Sequence, residues 1–464
     1  MLNKIFPLKL YLHIFQLEGY MPGRFVIWVA NNFRTRTLEN KKPLIWTQKA
    51  KLLAGIALIY LIILNVLFFA HFSIIGLLIS LMLSTQTYIF LILALITLKP
   101  YEVLNRIKIK RTMRTKIARL KSNGLVVIGI TGSFGKTTTK EFLYQLLRSK
   151  YKVLRTPESY NTLLGIYKVI DLELTEQYEI FICEMGAYHI GEIAELCDVV
   201  LPDHGILTGI NEQHLERFGS IENTIKAKFE LIQKVPSSGY KILNVDNVNV
   251  RMNYKQYVTG PLLYGEYSQS NTYRNVMYNE GSLSVDLKIE AVELNLTNVR
   301  LAGNGNISNL LGSVLLAYKL NVSISSIRDS IRHIKPISHR LEVHTLGDKT
   351  IIDNSYSSNI EGFKSALELL ASYTARPKII ITPGIVELGN STVHIHKELG
   401  KLVDTTCDFA LLVGKSSRTE ALAATIAHEK VVWLTSIKEM NEAILALKIL
   451  NPVILIENDL PDNY

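Results

Sequence analysis

Cysteine is scarce in this chain. There are three in 464 residues: Cys183, Cys197 and Cys407. That supports neither a disulfide framework nor a zinc spacing. It suits a reducing compartment, where single buried cysteines are ordinary core. No internal repeat and no low-complexity tract is present, so repeat architectures are excluded. No short apolar core with a small-residue cleavage site stands near the N-terminus, so a secretory leader is not read here. Acid is missing from one stretch. Arg106, Lys108, Lys110, Arg111, Arg114, Lys116, Arg119 and Lys121 follow one another without an Asp or Glu. The formal net charge is +10, and outside this segment the chain is near neutral. The basic excess is therefore local. With no aromatic stacking platform beside it, no nucleic-acid partner is expected.

Two long apolar runs are present. Leu52–Ala70 is broken only by Asn65. Ile74–Leu98 carries Ser80, Ser84, Thr85, Gln86 and Thr87. Each is long enough to cross a hydrocarbon core of about 30 Å as a helix. Only His71-Phe-Ser73 separates them, which predicts a tight antiparallel hairpin. Lys41, Lys42, Lys49 and Lys51 precede the first run, Lys99 and the basic cluster follow the second, and the turn has no Lys or Arg. Both flanks are then cytoplasmic: two spans in the inner (cytoplasmic) membrane, with both termini inside. The 106–121 cluster is expected against anionic lipid headgroups. Ahead of the runs, Leu8–Leu17 and Arg24–Phe33 read either as amphipathic helices at a membrane surface or as a soluble helical cap.

From Gly124 the composition becomes that of an α/β protein. Strand-like runs Val126–Ile130, Ile180–Cys183, Gly205–Leu207 and Lys241–Val245 alternate with helical patterns, which predicts a mainly parallel sheet covered by helices. Tyr264–Leu301 reads as an antiparallel insert and Ile307–Leu320 as a helix. A second series, Thr350–Ile352, Lys378–Thr382, Phe409–Val413, Val431–Leu434 and Val453–Ile456, predicts a smaller doubly wound domain. The organisation expected is an amphipathic segment over 1–50, two spans over 51–98, a basic linker over 99–122, a central domain over 123–334 and a C-terminal domain over 335–464.

The chain is organised around Gly129-Ile-Thr-Gly-Ser-Phe-Gly-Lys-Thr-Thr-Thr139, a strand, a glycine loop and a helix start. Gly132 and Gly135 let backbone N–H groups approach phosphate oxygens, and the helix start adds unpaired N–H groups and a favourable dipole. Lys136 can reach the outer phosphates and Thr137 can place its hydroxyl on Mg²⁺. The strict phosphate-loop pattern wants glycine at 130; Ile130 stands there and Gly129 is one residue early. Glu184 directly follows an apolar run, at the carboxyl end of a strand, where parallel sheets bind ligands. It could hold Mg²⁺, act on a proton, or be a loop carboxylate in water. His214 follows another strand end. Lys226 and Lys228, flanked by Glu222 and Glu230, ordinarily read as a solvated helix face.

Together these stretches resemble the Mur ligase family, the ATP-dependent ligases that build the peptidoglycan stem peptide. The resemblance runs in family order through Gly132–Thr139, Thr156–Asn161, Glu184-Met-Gly186, Thr208–Lys228, Gly303–Asn309, His339-Arg-Leu-Glu342, Asp353–Asn359 and Glu387-Leu-Gly389. The run His214–Ser220 and the Asp353-x-x-Tyr and Glu-Leu-Gly motifs resemble most the branch that adds D-alanyl-D-alanine to a UDP-MurNAc-tripeptide. The resemblance implies a phosphate-loop central domain, a Rossmann-like C-terminal domain and a list of roles. Gly132, Ser133, Gly135, Lys136, Thr137 and Thr138 hold ATP phosphates. Thr137, Glu184, His214 and a carbamylated Lys228 hold two Mg²⁺ ions. Asn306 and Asn309 contact adenine. Arg340 and Asp353 reach ATP from the C-terminal domain. Asn161, Tyr356, Asn359 and Glu387 lie on the substrate side. Lys136, Glu184, His214, Lys228 and Arg340 form the catalytic set. The implied substrates are a UDP-sugar peptide or similar carboxylate and a dipeptide or amino-acid amine, with the bilayer as a further partner. A carboxylate on another carrier, such as a lipid-linked muropeptide or a polyglutamate, and a non-catalytic membrane scaffold are the alternatives. Phe134, Gly305, Ser357, Ser358, Ile360 and Pro383-Gly-Ile385 depart from the family pattern. Family members also carry a UDP-sugar domain where this chain has its apolar runs.

Overall fold

The computed structural model describes residues 7–32, 44–157, 160–212, 215–279, 282–301, 303–356, 359–386 and 388–458. The chain divides into two compact units between Lys110 and Arg111.

The first unit is helical. Helices Leu8–Leu17 and Pro22–Asn31 bury Leu12, Phe15, Phe25 and Val29 together with Leu53, Ala57, Leu91 and Ala94 of the long apolar helices. The first long helix, Gln48–Ser84, bends at Ser73, where φ is 51° and ψ −137°. Beyond the bend the chain folds back, because Ser80 donates to Asn65 Oδ1 at 2.8 Å and Asn65 Nδ2 donates to Ser84 Oγ at 3.0 Å. The turn lies where the sequence places it, but Ile74–Leu98 is not one helix. The helix stops at Ser84 and a new one starts at Thr87. The Ser84 hydroxyl donates to the Ser80 carbonyl and the Thr85 hydroxyl to the Met82 carbonyl, both at 2.7 Å, and such local bonds compete with the helical ladder. The new helix continues through Pro100 to Ser122. Gln48–Gly76 and Thr87–Ser122 are each long and apolar enough to cross a membrane.

The last turns of that helix belong to the second unit. Met113, Ile117 and Leu120 are buried. Lys116 Nζ donates to the Asp171 carbonyl at 3.0 Å, and Lys121 Nζ donates to the Leu201 carbonyl at 2.6 Å and Asp203 Oδ1 at 2.7 Å. Arg119 lies 3.8 Å from Glu176. Of the cluster expected against lipid headgroups, Lys116 and Lys121 are thus bonded to protein groups of the second unit.

The first sheet has the order β2-β3-β1-β4-β5-β6, with β1 Val126–Thr131, β2 Val153–Arg155, β3 Ile180–Glu184, β4 His204–Leu207, β5 Lys241–Asn244 and β6 Leu262–Tyr264. Every pairing is parallel. Burial on both faces explains the near-continuous apolar runs. β1 is central, so its C-terminal loop lies between those of β3 and β4. The antiparallel insert is a three-stranded meander, β7 Asn271–Asn279, β8 Ser282–Ile289 and β9 Val292–Val299. Leu283, Val285, Leu287 and Ile289 alternate inward along β8 and pack with Leu310, Val314 and Leu315 of helix Asn304–Lys319. Each such side chain contributes about 1.5–3 kcal/mol on burial.

The second sheet has the order β10-β11-β15-β12-β13-β14, with β10 Glu342–Leu346, β11 Lys349–Asn354, β12 Lys378–Thr382, β13 Phe409–Val413, β14 Val431–Leu434 and β15 Val453–Glu457. Only β10–β11 is antiparallel. The sequence reading had five strands here. β10 is the sixth, an edge strand whose last three residues are exposed, so it lacks an apolar signature.

Candidate nucleotide-binding site

The loop after β1 is shaped by close approach. Gly132 has φ 154°, and a Cβ there would collide with the Thr208 hydroxyl. Gly135 has φ 76°, and a Cβ would stand 2.5 Å from Asn309 Oδ1. Ser133 N donates to the Gly209 carbonyl at 2.7 Å, Asn211 N donates to Ser133 Oγ at 3.2 Å, and Thr208 Oγ1 donates to the Phe134 carbonyl. The loop is thus seated on the end of β4. Phe134, a departure from the family pattern, fills the space over Gly209. Helix Lys136–Leu147 starts directly at the loop. Lys136 Nζ donates to the carbonyls of Gly132 (2.8 Å) and Ser133 (3.1 Å). Thr138 is buried beside it.

Glu184, the last residue of β3, is 1% exposed. Its Oε2 accepts from Thr137 Oγ1 at 2.9 Å and from Lys140 Nζ at 3.1 Å, and its Oε1 accepts from Asn161 Nδ2 at 3.1 Å. Burial would raise the carboxyl, but the charges of Lys140 and Lys136 and the Asn161 bond outweigh it and hold Glu184 below the usual carboxylate range. Burial lowers Lys136, with Glu184 opposing and Arg340 reinforcing that shift.

Arg340 arrives from the second sheet's domain on a tight turn in which His339 and Leu341 both have positive φ. Its Nη2 donates to Thr137 Oγ1 at 3.4 Å, and its guanidinium lies 4.6 Å over the Tyr356 ring. Asp353 accepts from Ser355 N (3.0 Å) and Ser355 Oγ (2.7 Å), and its Oδ2 lies 2.8 Å from His339 Nδ1. Burial would raise Asp353, but the bonds from Ser355 and His339 win and lower it. Asn309 Oδ1 accepts from Thr139 Oγ1 at 3.2 Å, and Asn306 lies one turn earlier, half-buried. Lys228 is 3% exposed. Its Nζ meets the Ala187 carbonyl at 3.5 Å and the Phe218 ring at 5.4 Å. Burial first, then Lys136, lower its pKa to about 7. Asn359 caps helix Ile360–Ala371, its Oδ1 accepting from Gly362 N at 3.0 Å. His214 and Glu387 lie outside the described residues.

The structure therefore gathers Thr137, Glu184, Asn161 and Arg340 within one hydrogen-bonded set, with Lys136 on the adjoining loop within electrostatic range of Glu184. Asn359 is committed to its cap, and Lys228, on helix Ile221–Lys234, lies outside this hydrogen-bonded set but within electrostatic range of Lys136. Sequence reasoning missed Lys140, Asn211 and Glu361. Asn211 Nδ2 donates to Glu361 Oε2 at 2.5 Å, tying the end of β4 to the C-terminal domain. Lys140 had one usable signal: it lies one helical turn after Lys136 and so shares its face. Among the described residues no group of three or more His, Cys, Asp and Glu could hold a metal. The Thr137 hydroxyl and Glu184 carboxylate are nonetheless hard oxygen donors 2.9 Å apart beside a phosphate loop, a donor set that fits Mg²⁺.

These features define a phosphate-loop α/β protein with an appended Rossmann-like domain. Residues 130–317 match the family model of the Mur ligase middle domain, and residues 339–456 that of the Mur ligase glutamate ligase domain. The chain belongs to the Mur ligase family. It is 29% identical over 294 residues to the UDP-N-acetylmuramoyl-tripeptide–D-alanyl-D-alanine ligase of Mycobacterium tuberculosis strain H37Rv, covering 61% of this chain and 57% of that relative. It is 26% identical over 322 residues to the Escherichia coli K12 ligase of the same name, covering 67% of this chain and 70% of that one. The chain thus spans little more than half the length of the mycobacterial relative. Thermotoga maritima MurF ligase, solved in complex with ADP, has the same fold: TM-score 0.68 at 24% identity, over 76% of this chain and 80% of that one.

Proposed function

We propose that the chain is an ATP-dependent amide ligase that joins D-alanyl-D-alanine, or a similar amine, to the peptide carboxylate of a UDP-MurNAc-tripeptide. The observation that carries this reading is the convergence on Thr137 of Glu184 from β3 and Arg340 from the C-terminal domain, beside Lys136. In the reaction the substrate carboxylate attacks the γ-phosphorus of ATP, the bond to the bridging oxygen breaks, and ADP leaves. The amine then attacks the acyl carbon, loses a proton, and inorganic phosphate departs. Lys136 turns from the loop carbonyls to the outer phosphates. Arg340 neutralises charge that develops on the transferred group. Asn161, bonded to Glu184, marks the carboxylate side. Mg²⁺ held by Thr137 and Glu184 would supply charge neutralisation at the phosphates. Lys228, with a pKa of about 7, has a substantial neutral fraction at neutral pH, as carbamylation requires; His214 and carbamylated Lys228 complete the proposed ligand set, and ATP with two Mg²⁺ ions the proposed cofactors. Contact between the two domains excludes water that would hydrolyse the acyl phosphate.

The helices Gln48–Gly76 and Thr87–Ser122 are proposed as a membrane anchor with both flanks cytoplasmic. Their exposed apolar side chains, among them Ile62, Val66, Phe69 and Ile96, support that reading. The test is phosphate release by detergent-purified protein with ATP and Mg²⁺, offered UDP-MurNAc-tripeptide and D-alanyl-D-alanine, beside Lys136→Ala. Release should need both substrates and vanish in the variant. ATP turnover independent of both would send the search to a different carboxylate.

A further inference from the structure

Two lysines on one helix face one buried carboxylate, and they are not equivalent. Lys140 is fully buried and donates to Glu184 Oε2 at 3.1 Å. Lys136, one turn earlier, donates to the carbonyls of Gly132 and Ser133 in its own loop, although it lies within electrostatic range of Glu184. The second carboxylate near Lys140, Glu141 at 3.9 Å, is already held by Arg155, whose Nε lies 2.8 and 2.9 Å from its two oxygens. Arg340 reaches the neighbouring Thr137 and not Glu184 itself. Lys140 is thus the one cation that the described structure places in direct hydrogen-bond contact with Glu184.

We infer that Lys140 is a positioning residue that occupies Glu184 and thereby leaves Lys136 for the nucleotide phosphates. A buried carboxylate stripped of its cation is strongly unfavourable. Without Lys140, the cation that next most strongly favours the Glu184 carboxylate is Lys136, and its ammonium swings from the phosphate loop to Glu184. The inference rests on the reading of Gly132–Thr138 as a phosphate site and adds a role for a residue outside the loop. It also explains why a lysine lies fully buried three residues beyond Thr137, where the helix otherwise buries Thr139, Phe142 and Leu143.

The experiment is equilibrium binding of a fluorescent ATP analogue to the full-length, detergent-solubilised protein in EDTA. Four proteins are compared: wild type, Lys140→Met, Glu184→Gln, and the double variant. Thermal unfolding is recorded alongside. Lys140→Met should lose on the order of tenfold or more in affinity, because an unpaired buried charge is worth that much. In the Glu184→Gln background no carboxylate remains to recruit Lys136. There, Lys140→Met should change affinity less than about threefold, which is within the usual error of additivity. This second comparison stands even if the single variant Lys140→Met is too unstable to assay. Equal losses in both backgrounds, or no loss in either, overturn the inference. Failure of the wild type to bind the analogue at all overturns the phosphate-site reading beneath it, a distinguishable result.

Discussion

Replacing Lys228 by methionine should stabilise the second unit near neutral pH and reshape its pH dependence. Lys228 is all but inaccessible, and its pKa is lowered from 10.5 to about 7, first by burial and then by Lys136, with Glu192 and Glu230 opposing. Below pH 7 the amine is protonated in both the folded and unfolded chain, so the folded state carries the whole cost of a buried ammonium. Between about pH 7 and 10.5 the unfolded chain keeps a proton that the folded chain has released, so stability rises with pH across that window. Between pH 7.0 and 8.5 this amounts to roughly 1.6 kcal/mol. Methionine is close in length and has no charge to bury, so the variant loses this slope. Melting curves in CO₂-free buffer, where the amine cannot be carbamylated, provide the assay. The advantage of Lys228→Met over wild type should be largest at pH 7.0 and shrink by about 3–6 °C by pH 8.5. Melting temperatures that run parallel for the two proteins over this range would refute the argument.

Gly135→Ala should weaken ATP-analogue binding by about tenfold, since a left-handed alanine costs about 1 kcal/mol and its Cβ would also displace Asn309; unchanged affinity would sink this account of the loop. Asn211→Ala and Glu361→Ala should be non-additive in thermal unfolding, with a coupling of about 0.5–3 kcal/mol; strict additivity would mean that the bond between the domains contributes nothing. Lys121→Ala, which removes a half-exposed pair with Asp203 and a bond to the Leu201 carbonyl, should cost about 0.5–1 kcal/mol, read as a fall of about 1–4 °C in melting temperature.

Much of this architecture can be read in the residues themselves, and the reasons are local. The β1 loop announces itself because an apolar run, two glycines and Gly-Lys-Thr occur within a dozen positions. The meander shows in the strict alternation of Leu283, Val285, Leu287 and Ile289. What stayed hidden depends on contacts distant in sequence. Lys140 looks like any solvated helix lysine until Glu184, on another strand, is folded against it. Lys116 and Lys121 look like lipid-facing cations until Asp171 and Asp203 come round to meet them. The helix break at Thr85–Gln86 was hidden for the opposite reason. Hydroxyls within a membrane-length run do not announce a break: Ser80 and Ser84 bond across the turn to Asn65, while Ser84 and Thr85 also bond back to their own backbone where the helix ends. β10 escaped because an exposed edge strand needs no apolar pattern.

The attachment of the 87–122 helix to the second unit has a mechanical consequence. Lys121 grips Asp203, and the other oxygen of Asp203, Oδ2, accepts from the Val127 amide at 2.8 Å. This junction is at the start of β1, whereas the phosphate loop leaves from its far end at Thr131, about 13 Å away at the rise of a parallel strand. A pull or twist delivered through the helix therefore enters the sheet at the N-terminal end of its central strand, away from the loop end, and is shared among strands bonded along their length. Changes in length or sequence upstream of Arg111 should consequently leave binding of an ATP analogue by the second unit unchanged.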